Sequence, residues 1–177
     1  DDRIVDAFGD NVAEGGDGAD VILLGGSHGL GRGGAGDDSL LATSGSHLLM
    51  GDEGDDSLIA TAGTVELDGG AGDDAISVAA GVSAIVHFAR GGGTDTVDLV
   101  DFRENAIGEI RLGAGIAASQ VAIRREAGDL VLSIAGTTDS VRVRSGFSGD
   151  LTAVSRITLA DGGSLDAAAI LALARQG

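Results

Sequence analysis

Aspartate and glycine recur together at a fixed spacing in the first half of the chain, and these residues have the clearest chemistry. Four nine-residue blocks begin at Gly15, Gly33, Gly51 and Gly69, which gives the repeat an 18-residue period. Each block follows the pattern G-G-x-G-x-D-x-U-x, where U is a large apolar residue, except that Asp52 replaces one second glycine. Self-similarity at a fixed period indicates a repeat architecture in which each repeat adds one unit to a stack.

The aspartate of each block falls in the same phase, at Asp20, Asp38, Asp56 and Asp74. If each unit is one coil of a parallel solenoid, neighbouring coils lie about 4.8 Å apart and the carboxylates form a column. Two bare carboxylates at that spacing repel by roughly 3.5 kcal/mol at an effective dielectric constant of about 20. Calcium accepts about six to eight oxygen ligands at about 2.3–2.6 Å, whereas magnesium prefers a tighter octahedron and keeps its waters. The spacing therefore predicts a ladder of calcium ions.

An apolar residue stands two places after each of these aspartates, and it is expected to point inward from a short strand. These residues are Ile22, Leu40, Leu58 and Ile76. Ile4 stands in the same relation to Asp2, which precedes Asp20 by one full period, so the chain is expected to begin inside an earlier coil. The glycines permit a positive φ, which lets the turns between strands be tight and their carbonyls point inward.

These blocks resemble RTX (repeats-in-toxin) nonapeptides, which form a calcium-binding parallel β-roll in secreted bacterial proteins. In that family an ion lies between consecutive turns. One turn contributes carbonyls from its second and fourth positions and its aspartate, and the next contributes carbonyls from its first and third positions and its aspartate. The resemblance implies three complete sites: Gly16, Gly18, Asp20, Gly33, Ala35 and Asp38; Gly34, Gly36, Asp38, Gly51, Glu53 and Asp56; and Asp52, Gly54, Asp56, Gly69, Ala71 and Asp74.

Two further sites are expected at the ends of the ladder, giving about three to five ions. Residues 87–101 resemble a final coil with a three-residue insertion, which puts Asp95 at the ligand position. The ligand set implied there is Gly70, Gly72, Asp74, Arg90, Gly92 and Asp95. Asp52, Glu53 and Arg90 contribute only carbonyls in this scheme. At the other end the site near Asp2 is expected to be incomplete, because no glycines precede that residue.

The half-coils between the blocks keep the glycine turn and the apolar position but lose the acid. Their sixth position holds Asn11, Gly29, His47, Val65 and Ser83. Leu49, Leu67 and Ile85 are predicted as their inward apolar residues. We therefore expect calcium along one edge of the roll only. Residues 24–32 slip from the pattern by about one residue, which predicts a local bulge.

Composition narrows the class of protein. The 177 residues carry a net charge of −17, no cysteine, no proline and four aromatic residues, all phenylalanine. Such a chain repels nucleic acid and anionic membranes, and without metal it is expected to be expanded by its own charge. It contains no apolar run of the length that a membrane span needs, and its first residues are not a signal peptide. The abrupt start suggests a piece of a longer protein.

Glycine periodicity stops after Phe102, and alternating strand patterns replace it. Strands are predicted at residues 109–112, 120–124, 129–134, 140–144 and 155–159, followed by a helix near 166–175 with Ser164 or Asp166 as its N-cap. Residues 107–172 resemble the haemolysin-type calcium-binding-related module, through LGAGI, GDLVL, GTTDSV, the Gly146-Phe147 pair and RITLADG. The prediction is an all-β fold: a right-handed parallel β-roll over residues 1–101, closed by an antiparallel cap over 102–177 with one short helix.

Catalytic interpretations have little support in the sequence. His28, His47 and His87 lie in degenerate half-coils or the insertion, and exposed turn histidines are favoured over a transition-metal pair. A serine beside a histidine in sequence is not a triad, and no G-x-S-x-G motif occurs. Four cap arginines, at 124, 125, 142 and 144, either face solvent or form a patch for a carboxylated polymer, and the first interpretation is favoured.

The resemblance implies a calcium-dependent, non-catalytic C-terminal module of a bacterial protein exported by type I secretion. It would remain unfolded at cytosolic calcium levels and fold outside the cell or at its surface. Two alternatives remain at this point: a module that binds polysaccharide or mediates adhesion, and the C-terminal tail of a secreted hydrolase.

Overall fold

Two long sheets and one short helix make up the part of the protein that the computed structural model describes, residues 1–100 and 107–175. The first eleven strands are β1 (Arg3–Asp6), β2 (Asp10–Asp17), β3 (Val21–Leu24), β4 (His28–Ala35), β5 (Ser39–Ala42), β6 (Ser46–Glu53), β7 (Ser57–Ala60), β8 (Thr64–Ala71), β9 (Ala75–Val78), β10 (Ser83–Phe88) and β11 (Thr94–Leu99). The elements that follow are β12 (Ile107–Leu112), a 3₁₀ turn (Ala118–Gln120), β13 (Val121–Glu126), β14 (Asp129–Ile134), β15 (Ser140–Val143), β16 (Phe147–Ser148), β17 (Leu151–Thr152), β18 (Arg156–Thr158), β19 (Ser164–Asp166) and α1 (Ala167–Ala174).

The first half is a parallel β-solenoid whose chain passes from one sheet to the other in every coil. The odd-numbered strands β1 to β11 form one sheet, and the even-numbered strands β2 to β10 form the other. Every pair from β1/β3 to β7/β9 is parallel with the same 18-residue offset, as in the pairing of Ile22 with Leu40. The predicted 18-residue coil and the all-β class are therefore confirmed.

The core runs along the axis between the two sheets. Ile22, Leu40, Leu58 and Ile76 point inward from the first sheet and are at most 1% exposed. Leu49 and Leu67 face them from the second sheet and are fully buried. Each coil therefore buries a few aliphatic side chains against its neighbours, and no coil encloses a core alone.

The predicted bulge in residues 24–32 is wrong. β4 pairs with β2 and β6 at a constant 18-residue offset, as in the pairing of His28 with Ser46. The slip is absorbed within the turn: its positive φ lies at Gly26 (83°), one place earlier than at Gly45 (76°) in the next coil. Because the left-handed residue moves with the glycine, the strands keep their register.

The phase predicted for β10 is also wrong by one residue. Val65 pairs with Ala84, and Leu67 pairs with Val86, so the inward positions are Ala84 and Val86. Ser83, which the sequence placed at the sixth position, is exposed, and Ile85, which was predicted to point inward, is half-buried. One inserted residue in the preceding turn accounts for the shift. Further insertion before β11 lengthens this coil, so that Val97 pairs with Ile76 as the sequence predicts.

The C-terminal strands continue both sheets. β15 pairs in parallel with β11, and the antiparallel hairpins β14/β15 and β13/β14 extend the first sheet. β12 pairs in parallel with β10, and β18 and β19 extend the second sheet. Asp166 caps α1 by accepting a hydrogen bond from the backbone N–H of Ala169 at 2.9 Å, so the Ser164 alternative is wrong.

The predicted domain boundary at residues 101 and 102 lies outside the described residues, so the division into 1–101 and 102–177 remains a prediction. No helix within the described ranges is both long and apolar enough to cross a membrane.

Leu58 and its chain neighbour Ile59 provide a test of the inward face. Leu58 is fully buried, whereas Ile59 is half-buried on the outer face of the same strand. Under folding conditions Leu58→Ala is expected to lower the free energy of unfolding by about 2–5 kcal/mol, because it leaves a cavity. Ile59→Ala should cost clearly less, as measured by urea unfolding. Equal losses would contradict the assignment of the two faces.

Candidate metal ladder

A column of five buried aspartates runs along one edge of the roll. Each backbone N–H in the column donates to a carboxylate oxygen, Oδ1, of the aspartate one coil further on. The distances are 2.7 Å from Asp20 to Asp38, 2.7 Å from Asp38 to Asp56, 2.9 Å from Asp56 to Asp74 and 3.2 Å from Asp74 to Asp95. Asp2 extends the column backward, because its backbone N–H donates to the carboxylate of Asp20. The carboxylates thus line up in the predicted phase, and each one ties its coil to the preceding coil.

The second oxygen has no such partner in four of the five ladder carboxylates. Oδ2 is buried without a hydrogen-bond partner in Asp20, Asp38, Asp56 and Asp74. These residues are only 1–3% exposed, so bulk water does not reach the orphaned oxygens. A buried acceptor without a partner costs about 1–3 kcal/mol, and more when it is charged. One unpartnered carboxylate oxygen per coil, repeated four times, is a set of donors that suits a cation.

The first glycine of each block leaves room for that second oxygen. A Cβ on the first glycine of any block would overlap Oδ2 of the aspartate in that block, as at Gly15, where it would overlap Oδ2 of Asp20. The other three first glycines are Gly33, Gly51 and Gly69. At Gly51 the same Cβ would also overlap the carbonyl oxygen of Gly69 in the next coil. A carboxylate oxygen and a carbonyl oxygen therefore converge on one small space between two coils.

Backbone carbonyls point into these spaces from both sides. The carbonyl oxygens of Gly16 and Gly36 lie against the second- and fourth-position glycines of the next coil, so close that a Cβ on those glycines would overlap them. Those of Gly33 and Gly69 lie against the glycines one coil back. The third-position carbonyls of Ala35, Glu53 and Ala71 also point back, because each accepts the fourth-position N–H of the preceding coil at 2.7–2.9 Å.

Positive φ at the second and fourth positions produces this arrangement of carbonyls. Gly34 and Gly36, for example, have φ of 117° and 122°. Asp52 adopts φ of 76° without being a glycine, which is unusual for a side chain with a Cβ. Its carboxylate lies outside the ladder, in a two-pronged ion pair with the Arg32 guanidinium at 2.9 and 3.0 Å. The exchange of glycine for Asp52 therefore leaves its carbonyl oxygen against Gly70 in the next coil, as the carbonyl oxygen of Gly16 lies against Gly34.

The last coil ends the ladder against the cap. Gly91 and Gly93 have positive φ, so the turn of the repeat is kept, and Asp95 is 2% exposed. The Asp139 carboxylate accepts the N–H of Gly91 at 3.0 Å, and Ser140 donates to the carbonyl of Gly93 at 2.9 Å. Val141, and not an acid, pairs with Asp95 in the next strand. The column of acids therefore stops at Asp95.

A second column of acids, which the sequence reasoning missed, lies beside the ladder on the exposed side. Asp37 accepts the N–H of Asp55 at 3.0 Å, and Asp55 accepts that of Asp73 at 2.8 Å. Asp1 and Thr94 continue this pattern at its two ends. These side chains satisfy exposed turn N–H groups, and the recurring D-D pair in the blocks was the signal for them.

The ladder is not a cluster of acidic side chains alone. Within residues 1–100 and 107–175, no group of three or more histidine, cysteine, aspartate or glutamate side chains is placed to hold a metal ion. Beside Gly15 and Gly51, a carboxylate oxygen and a carbonyl oxygen of the next coil instead lie close together. An all-oxygen set of this kind suits calcium, which tolerates irregular geometry and high coordination numbers.

Burial and crowding change the acidity of the ladder. Burial raises the pKa of Asp56 to about 7, of Asp74 to about 6 and of Asp95 to about 8. The backbone hydrogen bond to each carboxylate lowers its pKa in part, and the neighbouring carboxylates raise it further. Burial also raises the pKa of Asp38. Burial without a cation therefore makes these carboxyls harder to ionise in the fold than in water.

The second edge of the roll lacks such a column. Its sixth positions pair Asn11 with Gly29, Gly29 with His47 and His47 with Val65, so only isolated polar groups occur. His47 is 4% exposed and neither ring nitrogen has a hydrogen-bond partner, so the expectation of an exposed turn histidine is wrong there. Its ring packs over Gly29, which has no side chain of its own.

The other two histidines are held by acids on the outer face of the second sheet. His28 is exposed, with Nδ1 3.3 Å from Asp10, and it pairs with Ser46 rather than with His47. His87 Nε2 lies 2.7 Å from Glu66. His28 and His47 therefore face opposite sides of the sheet and do not form a metal pair.

Most of the cap arginines are engaged. Arg142 pairs with Glu126 and Asp129 at 2.6 and 3.0 Å, and Arg144 pairs with Asp98 at 3.2 Å. Arg125 lies over the Phe147 ring at 5.3 Å. These contacts fit the favoured interpretation, in which the arginines belong to outward strand faces.

The geometry defines a parallel β-solenoid with an oxygen-lined ladder along one edge. The family model described as the RTX calcium-binding nonapeptide repeat (4 copies) matches residues 1–29, 32–46 and 50–82. The model of the haemolysin-type calcium binding protein related domain matches residues 129–169. A comparison with curated proteins finds no match. The chain therefore carries RTX repeats, which bind calcium and are typical of secreted proteins, followed by the related C-terminal domain.

Gly51→Ala tests whether the space between coils holds the ion. Gly51 does not have a positive φ, so its replacement adds volume without left-handed backbone strain. Because the Cβ overlaps two converging oxygens, the calcium concentration at the folding midpoint is expected to rise by about tenfold or more. Gly108→Ala serves as control, since its Cβ would meet only a carbonyl at 3.3 Å. Similar midpoints for the two variants would refute the assignment.

The raised pKa values predict an inverted pH dependence for the metal-free chain. A carboxyl whose pKa is higher in the fold than its ordinary 3.8 stabilises the fold at low pH, and this stability is lost as pH rises towards about 8. In chelator, far-ultraviolet circular dichroism should show more β-structure at pH 5 than at pH 8. With calcium the order should reverse, because calcium competes with protons. A metal-free signal that grows with pH would contradict this expectation.

Proposed function

We propose that this chain is a calcium-dependent folding module, non-catalytic in itself, that stabilises the C-terminal part of an exported bacterial protein. The observation that carries the proposal is the column of buried carboxylates, in which Asp20, Asp38, Asp56 and Asp74 each have one oxygen bonded to the preceding coil and one without a partner. Calcium supplies positive charge to those oxygens when it is bound. The same residues explain why the chain needs the ion in order to fold.

The ligand sets we propose are those of the family pattern, and the inward carbonyls and the unpartnered carboxylate oxygens support them. We assign the three central ions to the spaces between the blocks that begin at residues 15, 33, 51 and 69, with the six ligands per site that the family pattern implies. Asp38, Asp56 and Asp74 each serve two neighbouring ions. A fourth ion belongs between Asp74 and Asp95, with carbonyls from the last glycine turn. The Asp2 end contributes a backbone N–H that donates to Asp20.

Coupling between folding and calcium gives the module its role in export. With a net charge of −17 and a core only a few side chains wide, the metal-free chain is held open by self-repulsion. Calcium sites of extracellular modules typically bind at about 0.1–1 mM, far above cytosolic calcium. We propose that the segment passes a type I secretion channel unfolded and coils outside the cell. The cap then covers the end of the roll, where strand edges would otherwise be unpaired.

A role in binding acidic polysaccharide has less support. Such a ligand needs free cationic groups, and Arg142 and Arg144 are committed to carboxylates of the chain itself. The proposal concerns this chain alone and leaves open the activity of any protein that carries it.

Asp56→Asn, with Asp55→Asn as its matched control, tests the proposed function. Both changes remove one negative charge, but Asp56 is buried in the ladder and Asp55 is exposed beside it. Calcium titration followed by circular dichroism should show a β transition in the parent chain, with at least three ions bound by equilibrium dialysis. Asp56→Asn should bind about two fewer ions or require about tenfold more calcium. Asp55→Asn should remain close to the parent.

The absence of a calcium-induced transition in the parent chain would overturn the proposal. Equal effects of the two substitutions would show that general charge, and not the ladder, controls folding.

A further inference from the structure

A cleft of about 390 Å³ lies at the second sheet, where β8 and β10 meet β12 and β18. Four polar side chains in neighbouring strands form a row along it, and all four are half-buried: Asp68, His87, Arg111 and Thr158. The rest of the lining is apolar and mostly small, and it includes Ala89, Gly113, Ala114 and Ala160. Because these residues have little or no side chain, the space beside the polar row stays open.

The charged side chains of this row are unevenly satisfied. His87 lies 2.7 Å from Glu66, and Arg111 lies 3.2 Å from each of Glu66 and Glu109. Asp68 stands opposite His87 in the next strand and has no ion pair within residues 1–100 and 107–175. A half-buried carboxylate without a partner is stabilised by a donor or a positive charge brought to it. The demand for positive charge is therefore confined to one end of the cleft.

Three kinds of ligand do not fit this pattern. Calcium needs about six to eight oxygens, and in the described part of the chain no three acidic, histidine or cysteine side chains are placed to share an ion. An anion would meet the carboxylate of Asp68. A sugar is bound through several free polar groups, whereas His87 and Arg111 are already engaged by glutamates. An organic cation with an apolar part matches the cleft, because it meets the carboxylate and the small apolar residues together.

We propose that this cleft binds a primary aliphatic amine, with its ammonium group on Asp68 and its alkyl chain along the small residues. An ammonium group carries three N–H donors and forms strong charge-assisted hydrogen bonds to a carboxylate. Each methylene group that the cleft buries tightens binding by up to about fourfold. The site lies outside the calcium ladder and goes beyond the proposed function, but it needs the folded chain, since coil stacking places β8 beside β10.

Isothermal titration calorimetry of the calcium-loaded chain at about pH 7 tests the site with pentylamine, which is protonated at that pH. We expect one bound amine with a dissociation constant of about 0.1–10 mM, as for a small ligand with few contacts. Methylamine should bind at least about tenfold more weakly, because it lacks the alkyl chain. Pentanol and pentanoate should also bind at least about tenfold more weakly, because they lack the positive charge. Equal binding of any of these three would overturn the proposal.

Asp68→Asn and Asp10→Asn form a matched pair of variants. Both remove one negative charge from the second sheet, but Asp10 is exposed at the other end of that sheet, beside His28. Asp68→Asn should weaken pentylamine binding by about tenfold or more, whereas Asp10→Asn should bind it like the parent chain. Equal weakening by the two substitutions would show that the amine is drawn only by the net charge, and this result overturns the site.

Circular dichroism separates failure of this inference from failure of the proposed function. A parent chain that folds with calcium and does not bind pentylamine overturns the cleft alone. A parent chain that never folds with calcium overturns both, since the cleft forms only between stacked strands. If Asp68→Asn does not fold, Ala160→Leu replaces it, because this exposed alanine lines the cleft and a leucine there fills the space for the alkyl chain. Unchanged pentylamine binding by folded Ala160→Leu overturns the site.

Discussion

The roll depends on how each buried aspartate is satisfied. One carboxylate oxygen accepts the N–H of the aspartate in the preceding coil, which fixes the two coils in register. In Asp20, Asp38, Asp56 and Asp74 the other oxygen is buried with no partner in the protein. The first contact brings the carboxylates close together, and the second makes that closeness unfavourable unless a cation is present. Stacking and metal binding are therefore two consequences of the same side chain.

Glycine makes this arrangement sterically possible. The first glycine of each block leaves space for the acid oxygen, and the second and fourth turn their carbonyls towards the neighbouring coil. A side chain at the first position would fill the space beside the unpartnered acid oxygen. The aliphatic core beneath is narrow, and in the proposed function it holds the coils together only when calcium neutralises the charge along the edge. The acids, the glycines and the small core are thus parts of one solution to folding without disulfides or a large core.

Much of this was predictable because a constant repeat phase fixes which residues become neighbours. The inward positions of Leu40 and Leu58, the alignment of Asp38 with Asp56 and the cap hairpins all follow from spacing and strand alternation. The failures occur where the phase is locally interrupted. At Gly26 the pattern shifts by one residue, and the turn absorbs this because the positive φ moves with the glycine. Near Ser83 a one-residue insertion moves the inward positions to Ala84 and Val86.

The burial of His47 could not be read from its spacing, since it depends on the absence of a side chain at Gly29 in the adjacent coil. The outer column of Asp37, Asp55 and Asp73 required knowledge of which turn N–H groups remain free.

The most direct test of the metal ladder is anomalous diffraction from a crystal grown in calcium. The account predicts peaks between successive coils, about 2.3–2.6 Å from the orphaned oxygens of Asp38, Asp56 and Asp74. A roll with no ion on that edge, or with ions only on the opposite edge, would contradict it.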